Sequence, residues 1–177
     1  MYMEIFNVIP PNPVLNHYIK HYWTLETGGV QPISERIIPT GCANLVFHRG
    51  NSLFSVTDNR GQPISFISGH NASYTDLSSC GKLNMIVIVF HPYGASAFFK
   101  NPISEFSNAC ISTNDLNDKT YEDLQDKVLN ASDNPSAIHL IEQSLINRLR
   151  NSANDYNYKR MVTAIEAINF QNQSINS

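Results

Sequence analysis

The chain has 177 residues, 42% of them hydrophobic and 10% aromatic, which is enough for one domain with a sizeable apolar core. Its net charge of −3 comes without a cluster of basic residues, which argues against nucleic-acid binding by this chain alone, because phosphate contacts need clustered cations. No apolar run approaches the roughly 20 residues of a membrane-spanning helix, and the three cysteines lie far apart, so we expect a cytoplasmic protein with reduced thiols and no membrane partner.

The first hundred residues alternate short β-rich segments with clusters of turn residues. Val, Ile and aromatic residues concentrate in the segments, whereas Pro, Gly, Asn and Asp separate them, a pattern typical of a sandwich or an open barrel. The strongest hairpin signal is Asp58-Asn59-Arg60-Gly61. Seven or eight strands are predicted, over residues 3–8, 18–26, 36–38, 43–48, 53–57, 64–68, 73–77 and 85–90.

The stretch 82–100 is the predicted centre of the fold. Residues 85–90 (MIVIVF) form an apolar run that is too short for an independent helix. Because residues of both parities are apolar, we predict a strand that is covered on both faces. Pro92 ends this strand, Gly94 allows a sharp turn, and residues 95–99 predict a short helix that packs back onto the sheet. A second small element is predicted over residues 103–106.

Helical periodicity replaces the β pattern after residue 100. A capping box of Thr120 and Asp123 predicts the start of one helix. Asp133 or Asn134 is predicted to cap the next, with Pro135 in its first turn. The apolar face of the first helix is expected to consist of Tyr121, Leu124 and Val128. The whole pattern predicts an α+β fold, in which an N-terminal antiparallel β-sandwich or open barrel precedes C-terminal helices.

The second of these helices carries an apolar stripe wide enough to meet both the sheet and another surface. Either a homodimer contact or the core of the domain would use it, and the residues concerned are Ile138, Ile141, Leu145 and Leu149. The polar residues 151–157 predict a linker, and a last helix is predicted over 158–170. The expected division is therefore a domain over 1–150, the linker, and a separate C-terminal segment over 158–177.

No motif in the sequence supplies a set of catalytic groups. GxSxG, a Walker loop, GxGxxG and HExxH are all missing, and no HxH pair precedes a glutamate, so we expect no enzyme, no cofactor and no metal. Trp23, the only tryptophan, is either a core residue or part of a pocket wall, since an aromatic ring with a polar edge suits small ligands. Alternation along its strand would place Ile19, His21, Trp23 and Leu25 on one face. His48, His70 and His91 lie at strand ends, and with Trp23 they are the candidate ligand-binding residues.

Several short motifs occur in a defined order over residues 10–110. They are Leu15-x-x-Tyr18-Ile19-x-x-Tyr22-Trp23, Ile38-Pro39-x-Gly41-x-x-x-Leu45-Val46-Phe47, Ile67-x-Gly69, Phe90-x-Pro92-x-Gly94-Ala95 and Pro102-Ile103-x-Glu105-Phe106. In this order they resemble the N-terminal half of an AraC-type transcription regulator, although Thr40 stands where that pattern has an acidic residue. Near the C-terminus, Arg160-Met161-x-x-Ala164-Ile165-x-x-Ile168 is similar to the opening of that family's helix-turn-helix domain.

The resemblance implies a sensory and dimerisation domain that binds a small-molecule effector and forms a homodimer. DNA would be contacted only through a C-terminal domain absent from this chain, of which residues 158–177 would be the first part. Alternatively, residues 158–170 form the final packing helix of a complete domain. Two other functions stay open at this point: a cupin-like metal-dependent enzyme, and a protein–protein interaction module without a small-molecule ligand.

Overall fold

A computed structural model describes residues 4–28, 33–79 and 81–152. Within these ranges the chain forms two antiparallel sheets and two α-helices, which is the predicted α+β fold. The strands are β1 (Glu4–Ile9), β2 (Ile19–Thr27), β3 (Ile33–Ile37), β4 (Asn44–His48), β5 (Phe54–Ser55), β6 (Arg60–Gly61), β7 (Ser65–Ser68), β8 (Thr75–Ser79), β9 (Asn84–Phe90) and β10 (Cys110–Ser112). The helices are α1 (Lys119–Leu129) and α2 (Asn134–Ser152).

The two sheets face each other as a sandwich. The larger has six strands in the order β1-β2-β9-β4-β7-β10, and the smaller has four in the order β3-β8-β5-β6. The described strands number ten rather than seven or eight because β6 and β10, of two and three residues, were not recognised in the sequence. The hairpin signal is confirmed, since β5 pairs with β6 across a turn in which Asn59 has a φ of 51°.

Strand β9 lies in the middle of the larger sheet, between β2 and β4, and both of its faces are covered as predicted. Ile86, Ile88 and Phe90 belong to the core between the sheet and the helices. The alternate residues Met85, Val87 and Val89 belong to a second apolar cluster on the face toward the smaller sheet. The uninterrupted apolar run therefore reflects a strand with a core on each side.

The two helices cover the outer face of the larger sheet. The predicted face of α1 is confirmed, because Tyr121, Leu124 and Val128 are all buried in the core. Both N-terminal caps are aspartates: Asp118 Oδ1 accepts a hydrogen bond from the Thr120 backbone N–H at 3.1 Å, and Asp133 Oδ1 accepts one from the Ser136 N–H at 2.7 Å. Thr120 is thus the second residue of α1 and not its cap, whereas Asp133 is one of the two predicted caps of α2.

Arg49, just after β4, connects the sheet to the junction between the helices. Its guanidinium donates hydrogen bonds to the carbonyl oxygens of Val128 (3.0 Å) and Ala131 and to the Asn134 side chain. The Asn134 amide in turn donates to Glu26 Oε1, on β2, at 2.6 Å. These contacts add a side-chain donor to one carbonyl in the last turn of α1 and to one just after the helix, and they fix the start of α2 against two strands.

Two single-turn 3-10 helices, Gly94–Ala97 and Ile103–Phe106, occupy the positions predicted for small elements. Gly94 does not have a positive φ, so it is not required for an unusual turn. Its role is close approach: a Cβ there would lie 1.9 Å from the Tyr18 carbonyl oxygen. The segment 90–95 is therefore in direct contact with the backbone that precedes β2.

The stripe predicted for a dimer contact faces the interior of the same chain. Ile138, Ile141 and Leu145 are 6%, 0% and 0% exposed, and Leu149 packs partly buried against the same core. They are packed among other residues of the same core, which corresponds to the core alternative. The start of the predicted linker, residues 151–152, is the last turn of α2, whereas the remainder of that linker and the segment 158–177 lie outside the described residues.

Candidate functional site: a cavity between the two sheets

A cavity of about 480 Å³ lies between the two sheets. Its apolar floor is the inner face of the larger sheet, where β2, β9, β4 and β7 lie side by side. The floor residues are Trp23, Val46, Phe66, Met85, Val87 and Val89. Leu53 and Leu77 contribute apolar surface from the opposite side. A space of this volume with a mainly apolar lining is typical of small-molecule binding sites in proteins.

Polar side chains lie around this apolar floor. They include Lys20, His21, Asn44, Asp58, Arg60 and Gln62. The Asp58 carboxylate accepts a hydrogen bond from the Ser55 hydroxyl at 2.7 Å, and Ser55 is itself a buried lining residue. The cavity thus combines an apolar surface, which can bind a ring or an alkyl group, with separated polar groups that can orient it.

A β-bulge decides which residues of β2 reach the cavity. The register of β2 against β9 shifts between Ile19 and His21. Ile19 consequently lies in the core beneath the helices, whereas His21 and Trp23 line the cavity. The prediction that Ile19 shares a face with Trp23 is therefore wrong, because simple alternation does not hold across a bulge. The extra residue, Lys20, also lines the cavity.

Burial shifts the pKa of two lining groups. Burial, followed by the nearby charges of Lys20 and His91, lowers the pKa of His21, so its imidazole is neutral at pH 7. Burial also raises the pKa of the Cys110 thiol, which keeps this lining sulfur protonated and unreactive at neutral pH. The charged side chains among the described lining residues are all exposed, so they lie at the edge of the cavity and not on its floor. They are Lys20, Asp58 and Arg60.

The four predicted ligand-binding residues do not form one cluster. Of them, Trp23 alone is among the described lining residues, where its ring contacts Phe6 on β1 with centroids 5.8 Å apart. His48 is 2% exposed and lies behind the lining residues Gln62 and Phe66. His70 is exposed just after β7, and His91 stacks on Tyr93 at the opposite end of β9, with ring centroids 5.9 Å apart.

Most lining residues were not identified from the sequence. Val46, Phe66, Val87 and Val89 have the pattern of ordinary core residues, and nothing in the sequence distinguishes a cavity floor from a filled core. Lys20, within a predicted strand, and Arg60, in a turn-rich stretch, are isolated basic residues. The alternation of β4, β7 and β9 could have indicated which residues share a face, but not that the two sheets stand far enough apart to leave a space.

Within residues 4–28, 33–79 and 81–152, no group of three or more His, Cys, Asp or Glu side chains is arranged to hold a metal ion.

Residues 7–112 match the family model of a domain of unknown function, DUF6597. The match covers more than half of the chain. The chain belongs to the DUF6597 family. The matched region runs from within β1 to the last residue of β10, and it includes every described residue that lines the cavity, whereas α1 and α2 follow it. No curated protein and no solved structure matches the chain. In the described part of the chain, no helix has the length and apolar character needed to cross a bilayer.

Proposed function

We propose that this DUF6597 protein is an effector-sensing domain that binds a small, mainly apolar molecule in the cavity between its two sheets. The observation that carries the proposal is the cavity itself. Its volume of about 480 Å³ falls within the roughly 300–1,000 Å³ of typical ligand sites. The apolar floor would bind the body of the ligand, and the peripheral polar groups would select its substituents.

The domain would act as part of a transcription regulator. The motifs within residues 10–110 that resemble AraC-type regulators lie in the described β-rich part, whereas the motif over residues 160–168 lies outside the described residues. A helical layer packs directly on the sheet that forms the cavity floor. We therefore infer a regulatory domain whose ligand changes the relative stability of two arrangements of the helices, with DNA contacted by a separate C-terminal domain. This role requires the ligand to have different affinities for the two arrangements.

Filling the cavity tests the binding proposal. Val87 is 3% exposed and lies in the middle of the floor, so Val87→Phe would occupy the space where a ligand ring is expected. A thermal-shift screen of small aromatic and alicyclic metabolites on the parent protein identifies ligands, and titrations followed by the fluorescence of Trp23 measure their affinity. Since Trp23 is the only tryptophan and lines the cavity, its emission reports occupancy directly.

We expect Val87→Phe to weaken binding at least about tenfold while the protein stays folded. The matched control is Val14→Phe, the same change at a residue that is 57% exposed and away from the cavity. It should leave affinity unchanged. If no compound in the screen shifts the melting temperature, or if Val87→Phe binds the hits as tightly as the control does, the cavity is not a ligand site.

The proposed regulatory role requires a separate experiment. The chain can be fused to a DNA-binding domain that is active only as a dimer, and reporter expression compared with and without a ligand from the screen. Expression that changes with the ligand in the parent fusion, but not in the Val87→Phe fusion, supports sensing. Expression that is independent of the ligand, for a fusion whose ligand binding is intact, removes the regulatory role and leaves a binding domain.

A further inference from the structure

His48 is a buried polar residue whose hydrogen bonding is incomplete. Its side chain is 2% exposed, and its Nε2 lies 3.2 Å from Oε1 of Gln62. Because an amide oxygen can only accept, Nε2 carries the proton in the neutral ring, and Nδ1 is left with an unshared electron pair. Among the described residues, Nδ1 has no hydrogen-bond partner. A buried acceptor without a donor costs about 1–3 kcal/mol.

The surroundings of His48 place it next to the cavity. His48 lies two residues after Val46 on β4, so the two side chains project to the same face of the sheet. Gln62 and Phe66, whose ring centroid lies 6.0 Å from that of His48, both line the cavity. So does Met85, which is paired directly with His48 on the neighbouring strand. His48 thus lies behind three lining residues.

One of those three residues is well suited to move. Cross-strand partners have Cβ atoms roughly 4.5–5.5 Å apart, so the Met85 side chain lies beside the imidazole. Methionine is unbranched and can change conformation at low cost. A change of its rotamer would open a path from the cavity to His48 without moving either strand.

The opposite sheet supplies a second unpartnered group on the inner side of the sandwich. Ser79 Oγ is buried and has no hydrogen-bond partner among the described residues. Ser79 lies two residues beyond the cavity-lining Leu77 on β8, so its side chain projects to the same face of that sheet. His48 and Ser79 thus place one unpartnered polar atom from each sheet on the inner side of the sandwich.

We propose that His48 forms a specificity subsite in which Nδ1 accepts a hydrogen bond from a hydroxyl group of the ligand. This inference rests on the proposed function of the cavity. It defines the ligand class as a compact aromatic or alicyclic alcohol or phenol, with its ring on the floor near Trp23 and Val87. An ammonium group fits less well, because Phe66 and Met85 make this end apolar and burying a charge there is costly.

A matched pair of compounds tests the subsite. Thymol and p-cymene have the same carbon skeleton, and thymol alone carries a hydroxyl group. We expect the parent protein, followed by Trp23 fluorescence, to bind thymol about five- to tenfold more tightly than p-cymene. In His48→Gln, which retains an amide near the Gln62 side chain but removes the Nδ1 acceptor, this preference should disappear through weaker thymol binding alone. His70→Gln, at an exposed histidine outside the cavity lining, should keep the preference.

A measurement on the unmodified sequence covers the case in which His48→Gln does not fold. In protein labelled with ¹⁵N-histidine, thymol should shift the His48 Nδ1 resonance in the direction of hydrogen-bond acceptance, and p-cymene should not. Equal affinity for the two compounds, or a Nδ1 resonance that thymol leaves unchanged, overturns the subsite while the cavity remains a binding site. A parent protein that binds neither compound overturns the ligand class, and the outcome of the metabolite screen then decides separately whether the cavity binds ligands at all.

Discussion

Gly94 shows how one residue can be fixed by contact and not by backbone conformation. The Tyr18 carbonyl oxygen accepts a hydrogen bond from the His91 N–H at 2.8 Å, just before the turn that contains Gly94. This bond draws the two segments together until a hydrogen atom is all that fits at the Gly94 α-carbon. The contact joins the end of β9 to the start of β2, two neighbouring strands of the cavity floor.

Gly94→Ala is therefore expected to destabilise the protein by at least about 2 kcal/mol, because the new methyl group would collide with backbone that cannot easily move. Urea unfolding measures the loss. Gly61→Ala is the matched control, since nothing lies within 4 Å of a Cβ at that position, and it should change stability by less than about 0.5 kcal/mol. Equal stability of the two variants would show that the chain relaxes around Gly94.

At the level of single residues, the sequence indicated some of the site but not its arrangement. An aromatic residue with a polar edge is a reasonable candidate for a pocket wall, and Trp23 does line the cavity. The three histidines were chosen because they lie at strand ends, but strand ends occur at both ends of a sandwich and on both of its sheets. Whether a given strand end lies at the cavity depends on how strands that are distant in sequence pair. The local sequence around each histidine does not determine that pairing.

Among the elements, continuous patterns were predicted, whereas a local irregularity and two very short strands were not. The apolar run of β9 and the faces of α1 and α2 follow from periodicity alone. The bulge in β2 breaks the period of two, and no glycine or proline marks it. β6 and β10 are so short that they form only because they pair with neighbouring strands. The energy of that pairing is not part of the β-propensity of the local sequence.

Helix α2 illustrates why a wide apolar stripe does not by itself indicate an interface. Leu145 is 0% exposed within its own chain, so Leu145→Asp would place a carboxylate in the core and should abolish cooperative folding. Circular dichroism and thermal unfolding measure this. Asn147→Asp, an exposed change on the same helix, should leave the melting temperature within a few degrees. A Leu145→Asp protein that keeps the stability of the parent but differs in oligomeric state would instead identify this stripe as an interface.

For the molecule as a whole, stability should fall with acid in two separate pH ranges. Burial lowers the pKa of His48, and a smaller opposing effect comes from its bond to Gln62; burial also lowers the pKa of His21. The unfolded chain therefore binds protons at these residues below about pH 6.5 before the folded protein does, and stability decreases from that pH downward. The lowered pKa values of Asp76, Asp118 and Asp133 place their contribution in a second range, below the ordinary aspartate pKa of about 3.8.

Urea unfolding at a series of pH values checks the first range. Between pH 6.5 and 5, His48→Gln should lose up to about 1.4 kcal/mol less stability per pH unit than the parent, which corresponds to one proton. His21→Gln should have a smaller effect, because that residue is less buried. The acid transition near the aspartate range should be the same in all three proteins. Parallel curves for parent and His48→Gln over this interval would show that His48 becomes protonated as readily in the folded state as in the unfolded chain.

A single strand thickness separates the cavity from the helical layer. Val87 lines the cavity, and Ile86 and Ile88, its immediate neighbours in sequence, belong to the core that the sheet shares with the helices. A ligand that tilts β9 would therefore displace Ile86 and Ile88 on the opposite face of the sheet directly, without an intervening element. Substitutions at Ile86 or Ile88 should then alter how tightly the protein holds an occupant that neither side chain ever meets.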